Sequence, residues 1–171
     1  VTISCNNLAH EGARRLEPRC SAPTRRLAAV RTLSDAGIPV CVLVAPVIPF
    51  LTDDQIEPVL EAATAHGAKF ASYTLLRLPW EVNELFKEWL ERNYPLKAKH
   101  VMSRVREMRE GRENDSSFGS RMVGAGLLAE FLEQRFGIAC KRLGLNFKKH
   151  GDALDTTRFA VPGKSAQLSL F

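Results

Sequence analysis

The first half of the chain alternates between short apolar runs and stretches with helical periodicity. Val1–Cys5 alternates apolar and polar residues from its start, as a β-strand does. Ile38–Ala45 is a nearly continuous apolar run, which predicts a strand buried on both faces. Ala68–Leu78 is a third strand candidate. The chain therefore predicts three strands separated by longer connections.

Helical spacing and helix-end residues fill the intervals between these strands. Ser21–Gly37 repeats apolar residues at helical spacing, with Ser21 as a possible cap, proline in the first turn and Gly37 as the stop. Thr52–Gln55 is typical of a capping box for a second helix, in which Pro58 predicts a kink or a late start. A third helix places five apolar residues on one face: Val82, Leu85, Phe86, Trp89 and Leu90.

This order of elements predicts parallel strands joined by right-handed crossovers. The predicted class is α/β, with three β/α units forming the second half of a partial (β/α) barrel, followed by C-terminal helices and an extended tail. A three-stranded sheet alone exposes its edges, so we expect the other half upstream or on another chain. A flavodoxin-like sheet is the alternative, although no Gly-rich phosphate loop follows the first strand. The expected segments are 1–94 (half-barrel), 95–145 (helical extension) and 146–171 (flexible tail).

Charge and cysteine content narrow the classes of partner and location. The chain has a net charge of +5, a mild preference for anionic partners. Basic residues concentrate at 97–121 and 141–150, although a solvated helix face is equally compatible with the first cluster. No run is long enough to span a membrane and no signal peptide is visible. Four scattered cysteines without a CxxC pair indicate a cytoplasmic chain with reduced thiols, Cys41 being in the core: Cys5, Cys20, Cys41 and Cys140.

Ligands of parallel β/α units meet the carboxyl ends of the strands. Ser4 and Asn6 follow the first strand, where they could bind a polar ligand or merely close a turn. Arg77 ends the third strand, where we expect it to meet a carboxylate from a neighbour or an anionic substrate. The loop Leu16–Arg26 concentrates Glu and Arg, either as a structural ion pair or as a functional cluster. No conventional catalytic set is present, and the catalytic residues stay unassigned.

Three stretches resemble a known family: "RRLEPRCSAPTRRLAAVRTLSDAGIPVCVLVAPVIPFLTD", "YTLLRLPWEV" and "DSSFGSRM". They are similar to the radical S-adenosylmethionine proteins related to spore photoproduct lyase, and the resemblance runs over nearly the whole chain. It is most specific at Glu17–Pro18, at "AGIPV" and at "VAPVIP". It corresponds to the second half of that family's partial barrel.

The resemblance implies S-adenosylmethionine and a [4Fe–4S] cluster held by a CxxxCxxC loop, which together generate a 5′-deoxyadenosyl radical. This chain has no such loop, so the cluster ligands are expected outside it, and the chain alone is expected to lack activity. The implied cofactor-binding residues are Ser4, Asn6, Ala45, Pro46, Val47 and Ile48. The thymine photodimer substrate of spore photoproduct lyase is not carried over.

The chain ends in "QLSLF", which resembles the peptide that docks bacterial repair proteins on the sliding clamp. Gln167 would orient the peptide, while Leu168, Leu170 and Phe171 would fill apolar pockets. A terminal strand packed on the body is the alternative. The leading hypothesis is the distal portion of a radical S-adenosylmethionine enzyme, possibly a DNA-repair lyase. A non-catalytic module that binds nucleic acid and the clamp is the alternative, and an α/β protein of unrelated chemistry is a third.

Overall fold

A computed structural model describes residues 1–146 of the chain. Its strands are β1 (Thr2–Ser4), β2 (Cys41–Val47) and β3 (Phe70–Leu75), which form one parallel sheet in the order β1-β2-β3. The described helices are α1 (His10–Leu16), α2 (Pro23–Asp35), α3 (Ile56–Ala65), α4 (Glu81–Asn93), α5 (Pro95–Glu107), α6 (Ser120–Val123) and α7 (Leu127–Leu143), with a 3₁₀ turn at Asp53–Gln55. The predicted α/β class and the parallel strands are confirmed.

The helix ends follow local backbone chemistry, with one exception to the predictions. Pro23 occupies the first turn of α2, and Gly37 follows the helix with a φ of 72°. The predicted cap at Ser21 is wrong, because Ala22 is the N-cap residue and the Ser21 carbonyl accepts a hydrogen bond from Arg26 Nε. Of the two predictions for Pro58, the late start is confirmed, since α3 begins two residues before it.

One face of the sheet packs against helices. Ile3, Val42 and Ala71 stand in register across the three strands, and all three contribute to the main core. Val44 and Tyr73 continue the same face. Buried residues of α2, α3 and α7 complete this core: Val30, Val59, Leu60, Ala63, Leu132, Phe136 and Ala139. The apolar face of each crossover helix is thus buried by the sheet it connects.

The opposite face of the sheet stays half-exposed. Ser4, Leu43 and Ser72 stand in register there, and none of them is buried. The prediction that the second strand is buried on both faces is wrong, because burial in β2 largely alternates. Cys41 lies on this open face with its Sγ 3.7 Å from Ser72 Oγ, so its predicted place in the core is also wrong. The sheet therefore has one face that is covered by helices and one open face.

A second apolar core lies beyond the carboxyl ends of β2 and β3. Phe86 and Leu90 of α4 pack there with buried α5 residues and with Ile48 and Leu78: Ala98, Val101, Met102 and Val105. The predicted apolar face of α4 is only partly buried, because Val82 and Leu85 are exposed. This core joins α4 to α5 and supports the segments that follow β2 and β3.

The last described helix packs on the sheet. Phe136 of α7 lies with its ring centroid 4.8 Å from that of Tyr73 in β3. Arg135 of α7 forms an ion pair of 2.5 Å with Glu57 of α3. Asn146 then runs beside β3, donating to the Lys69 carbonyl at 2.9 Å. The remainder of the predicted tail, including Gln167–Phe171, lies outside the described residues.

None of the helices in residues 1–146 is both long enough and apolar enough to cross a membrane.

Candidate functional site at the carboxyl edge of the sheet

The last residues of the parallel strands and the residues that follow them form one edge of the sheet, which we call the carboxyl edge: Ser4–Asn6, Ala45–Ile48 and Leu76–Leu78. In parallel α/β sheets, ligands bind at this edge because the strand ends and their loops converge there. Every cofactor-binding residue predicted within the described part of the chain falls on it.

Arg26 of α2 fastens the end of β1. Its Nη1 donates to the Ser4 carbonyl at 2.8 Å and to Ser4 Oγ at 3.1 Å, while its Nη2 donates to Glu17 Oε2 at 2.7 Å. The Glu17–Arg26 contact is the structural ion pair that the sequence left open. Since Ser4 Oγ accepts a hydrogen bond from Arg26, the serine hydroxyl proton is available to a ligand.

Asn6 carries an unsatisfied donor. Its side chain is only 2% exposed, and its Nδ2 has no hydrogen-bond partner among residues 1–146. A buried amide without a partner is costly, and such groups commonly mark the position of a ligand or water. Burial raises the pKa of the thiol of the neighbouring Cys5. Asn6 is thus the strongest ligand-binding candidate at the end of β1.

The end of β2 combines accessible and buried residues. Ala45 and Pro46 are half-exposed, and the pairing with β3 shifts register at this point, whereas Val47 and Ile48 are fully buried. Thr52 Oγ1 donates to the Pro46 carbonyl at 3.0 Å and accepts from the Ile48 amide at 2.9 Å. Thr52 is the N-cap residue of the 3₁₀ turn, but the predicted cap hydrogen bond of its side chain is not formed, since its hydroxyl binds the strand end instead. Of the four predicted residues here, Ala45 and Pro46 present accessible surface.

Two arginines meet at the end of β3. Arg109, only 2% exposed, donates to the carbonyls of Leu76 and Ser120, each at 3.0 Å. Burial lowers the pKa of Arg109, and the nearby charge of Arg77 acts in the same direction. Arg77 is half-buried, and its Nε is buried without a hydrogen-bond partner in the described part of the chain. No described carboxylate lies within ion-pair distance of either guanidinium, so the neighbour that was predicted as one option for Arg77 is not found.

The loop between α5 and α6 is held against this edge. Asp115 is buried, and its carboxylate accepts hydrogen bonds from the Ser117 amide and from Ser120 Oγ. These bonds lower the pKa of Asp115 well below its usual range. Since Arg109 joins the Ser120 carbonyl to that of Leu76, the loop is fastened directly to the end of β3. The stretch "DSSFGSRM" is part of the resemblance, but the sequence alone assigned no role to Asp115 or to Arg109.

Glu113 anchors the same loop to two helices. Its carboxylate accepts from Lys87 Nζ, Asn83 Nδ2 and Arg106 Nη2, each at 2.7 Å. The hydrogen bonds from Lys87, Asn83 and Arg106 lower the pKa of Glu113 to about 2. The loop is therefore fixed to α4 and α5 at Glu113 and to β3 through Arg109.

We expect Glu113 to make stability depend on pH in acid. Its folded-state pKa lies below the ordinary value of 4.5, so its stabilisation is complete above that pH and is lost as the pH falls toward 2. The variant Glu113→Gln should lose about 1 kcal/mol at pH 7, because partly exposed ion pairs are screened. Urea unfolding between pH 7 and pH 2 measures this dependence, and the stability of Glu113→Gln should fall less steeply.

The matched control for Glu113 is Glu110→Gln. Glu110 is exposed, and within the described part of the chain its ion pair is with the exposed Arg112. This variant should follow the wild-type pH dependence. Parallel wild-type and Glu113→Gln curves would contradict the assignment.

Three exposed aromatic side chains lie on different loops near the carboxyl edge. Phe50 follows β2, Trp80 follows β3, and Phe118 lies on the loop that Arg109 fastens. Cations accompany two of them: the Arg121 guanidinium carbon is 5.1 Å from the Phe118 ring centroid, and that of Arg104 is 5.9 Å from the Phe50 ring centroid. Exposed aromatic rings beside arginines suit the stacking of unpaired nucleobases.

The described cysteines do not form a metal site. All four are free thiols, and no group of three or more His, Cys, Asp or Glu side chains in residues 1–146 converges on a point where a metal ion could bind. Burial raises the pKa of the Cys140 thiol to about 12, so this thiol is protonated at neutral pH. The [4Fe–4S] cluster implied by the resemblance therefore does not fit the residues present in this part of the chain.

Comparison with known proteins gives a short list of relatives. The chain is 33% identical over 97 residues to curated proteins, named as uncharacterized, from Mycobacterium tuberculosis and Mycobacterium bovis. The aligned stretch is 56% of this chain and 27% of each relative, so it spans about a quarter of their length. No protein-family model matches the chain, and no solved structure matches it.

Proposed function

We propose that this chain is the distal part of a radical S-adenosylmethionine enzyme and presents its carboxyl edge to the nucleoside end of that cofactor. The observation that carries the proposal is the buried, unpartnered Nδ2 of Asn6 at the end of β1. Ser4, with a hydroxyl proton free to donate, lies two residues away, and Ala45 and Pro46 offer accessible surface at the next strand end.

The residues of the carboxyl edge fit S-adenosylmethionine better than they fit the cluster. An amide donor and a hydroxyl donor can bind ribose oxygens or ring nitrogens, and the half-exposed strand end can contact an adenine. In the complete enzyme the cofactor supplies hydrogen-atom abstraction. The role of this chain is to bind and orient the nucleoside, with Asn6 and Ser4 donating hydrogen bonds and Arg26 holding the Ser4 backbone in place. The cluster ligands must come from elsewhere.

The two faces of the sheet support a partial barrel. The crossover helices cover one face, while Ser4, Leu43 and Ser72 leave the other half-exposed. In a (β/α) barrel the helices cover the outer face of the strands, and the side chains of the other face point to the interior. The match to about a quarter of much longer relatives is compatible with a portion of a larger enzyme.

Calorimetric titration of this chain with S-adenosylmethionine tests the proposal. We expect Asn6→Ala to weaken binding by about tenfold or more, because one hydrogen bond from a buried amide is lost. Asn93→Ala is the control, since the Asn93 amide donates to the Trp89 carbonyl within α4, away from the edge. Equal affinity of Asn6→Ala and wild type, or no binding by the wild type, would contradict the proposal. Anaerobic reconstitution of the longest reading frame that contains these residues then tests for a cluster.

A second candidate function, nucleic-acid binding, is favoured by the exposed rings of Phe50, Trp80 and Phe118, of which Phe50 and Phe118 lie beside arginines. This candidate includes two cases. In one, nucleic acid is the substrate of a DNA-repair enzyme; in the other, the chain is a non-catalytic module that also binds the sliding clamp through Gln167–Phe171. Binding of single-stranded DNA that weakens steeply with salt, and that Phe118→Ala reduces, would support it. Absence of binding at low salt would exclude it.

A further inference from the structure

We infer that Arg77 and Arg109 form a subsite for a phosphate group at the carboxyl end of β3. The phosphate would belong to the substrate of the enzyme proposed above, so its role in the reaction rests on that proposed function. Phosphate binding itself requires neither S-adenosylmethionine nor iron, so the two proposals can fail separately.

The first argument is the charge balance of the two arginines. Arg109 is buried, yet among residues 1–146 its guanidinium donates hydrogen bonds to the neutral carbonyls of Leu76 and Ser120 and to no carboxylate. Arg77 forms no ion pair with any described residue. Arg109 is withdrawn from water, and the nearby charge of Arg77 adds to the cost of burying it, although the Asp115 carboxylate favours the charged form of Arg109. A bound anion would remove both costs.

Asp115 does not fill this role. It lies close enough to favour the charged form of Arg109, but its oxygens accept hydrogen bonds from the Ser117 amide and Ser120 Oγ. No described ion pair joins Asp115 to either arginine. Asp115 shapes the loop over the site and leaves the charge of Arg77 uncompensated.

The second argument is the unsatisfied donor. The Nε of Arg77 is buried and lacks a partner in the described part of the chain, while the residue as a whole is half-buried and accessible to a ligand. Arg77 directly follows Leu76, whose carbonyl fixes Arg109, so the backbone holds both side chains at one strand end. A guanidinium with a free Nε–H and an accessible fork suits a tetrahedral oxyanion, which can accept from several donors at once.

The shared chemistry of the ligand is a phosphate, which could be a free phosphate or a phosphodiester of a nucleic acid. The exposed Trp80, three residues after Arg77, would suit a base next to a phosphodiester. The experiment below separates these two sources by comparing inorganic phosphate with a dinucleoside monophosphate.

The test is a titration of the whole 171-residue chain, labelled with ¹⁵N-arginine, in which the Nε–Hε signals are followed by NMR. The probes are inorganic phosphate, a dinucleoside monophosphate, and acetate as a carboxylate control. We expect phosphate to shift the Arg77 signal saturably. In Arg77→Gln, the response of the Arg109 signal should require at least about tenfold more phosphate, because a charge-assisted hydrogen bond is lost. Arg112→Gln, at an exposed arginine paired with Glu110, should behave as wild type.

Tighter binding of the dinucleoside monophosphate would identify the source as a nucleic acid, and tighter binding of inorganic phosphate would identify a free phosphate; both outcomes support the subsite. Shifts that do not saturate, or that appear equally at Arg112, would mean an adventitious ion only and would overturn it. Equal affinity for acetate, or an unchanged response in Arg77→Gln, would also overturn it. The wild-type titration stands by itself if a variant fails to fold, and Arg77→Lys offers a variant that keeps the charge while lacking Nε.

Discussion

Replacing Phe136 with alanine should lower the free energy of unfolding by about 3–5 kcal/mol, the usual cost of removing a buried phenylalanine. Phe136 is fully buried in the main core, where its ring packs against Tyr73 of β3. The loss comprises the transfer energy of the ring and a cavity between α7 and the sheet that rigid neighbours cannot close. A loss of this size would mean that α7 is part of the sheet's own core.

Urea unfolding of the whole chain, followed by circular dichroism, measures this loss. Phe131→Ala is the matched control, because Phe131 lies on the same helix and is 58% exposed. It should cost less than about 1 kcal/mol, as most substitutions at exposed positions do. If the two variants lost the same stability, the packing of α7 on β3 would be contradicted.

Leu90→Ala should cost about 2–5 kcal/mol, the range for a buried leucine. Leu90 of α4 is fully buried in the second core, beyond the carboxyl ends of β2 and β3. The cavity would lie between α4 and α5 and under the segment that contains Ile48. The substitution should therefore also loosen the strand end that contributes Ala45 and Pro46 to the proposed site.

Chemical denaturation gives the size of the Leu90→Ala effect, and hydrogen exchange shows where it acts. Amides of α4 and α5 should lose protection at least as strongly as those of β1 and β2. Leu85→Ala is the control on the same helix, since Leu85 is 63% exposed and should be nearly neutral. A stable Leu90→Ala variant with unchanged protection in α5 would contradict the second core.

The sequence predicted the strands and crossover helices well because their patterns are local. The strands at residues 2–4, 41–47 and 70–75 lie within or overlap the predicted runs, and Pro23 and Gly37 bound α2 as expected. These signals depend on residue spacing and backbone preference, which operate before tertiary contacts form.

The wrong predictions concern side chains that make tertiary contacts in place of the local contacts expected from the sequence. Thr52 had the sequence of a cap, yet its hydroxyl binds backbone groups of Pro46 and Ile48, which no local pattern reveals. Cys41 lies in an apolar run, but the strand period of two directs it to the open face. The sequence could not show which face of β2 would be covered.

The candidate site was predicted in position and only partly in composition. Ser4, Asn6 and Arg77 were predicted because strand ends in parallel sheets are recognisable from the chain. Arg109 and Glu113 were missed because they lie in a strongly charged stretch where most arginines and glutamates are solvated. Their importance depends on long-range contacts: Arg109 with the Leu76 carbonyl, and Glu113 with Lys87.

The parallel pairing of the three strands also has a kinetic consequence. Ile3 pairs with Val42, and Val42 pairs with Ala71, so each ladder joins residues separated by at least one whole helix. A turn cannot nucleate such a sheet, because the loop-closure entropy of each crossover is lost before a strand gains its neighbour. Within this chain, the β1–β2 ladder can form only after α2 and β2 have been synthesised, and the β2–β3 ladder only after α3 and β3 have been synthesised. Each ladder of the sheet thus depends on the crossover that precedes it.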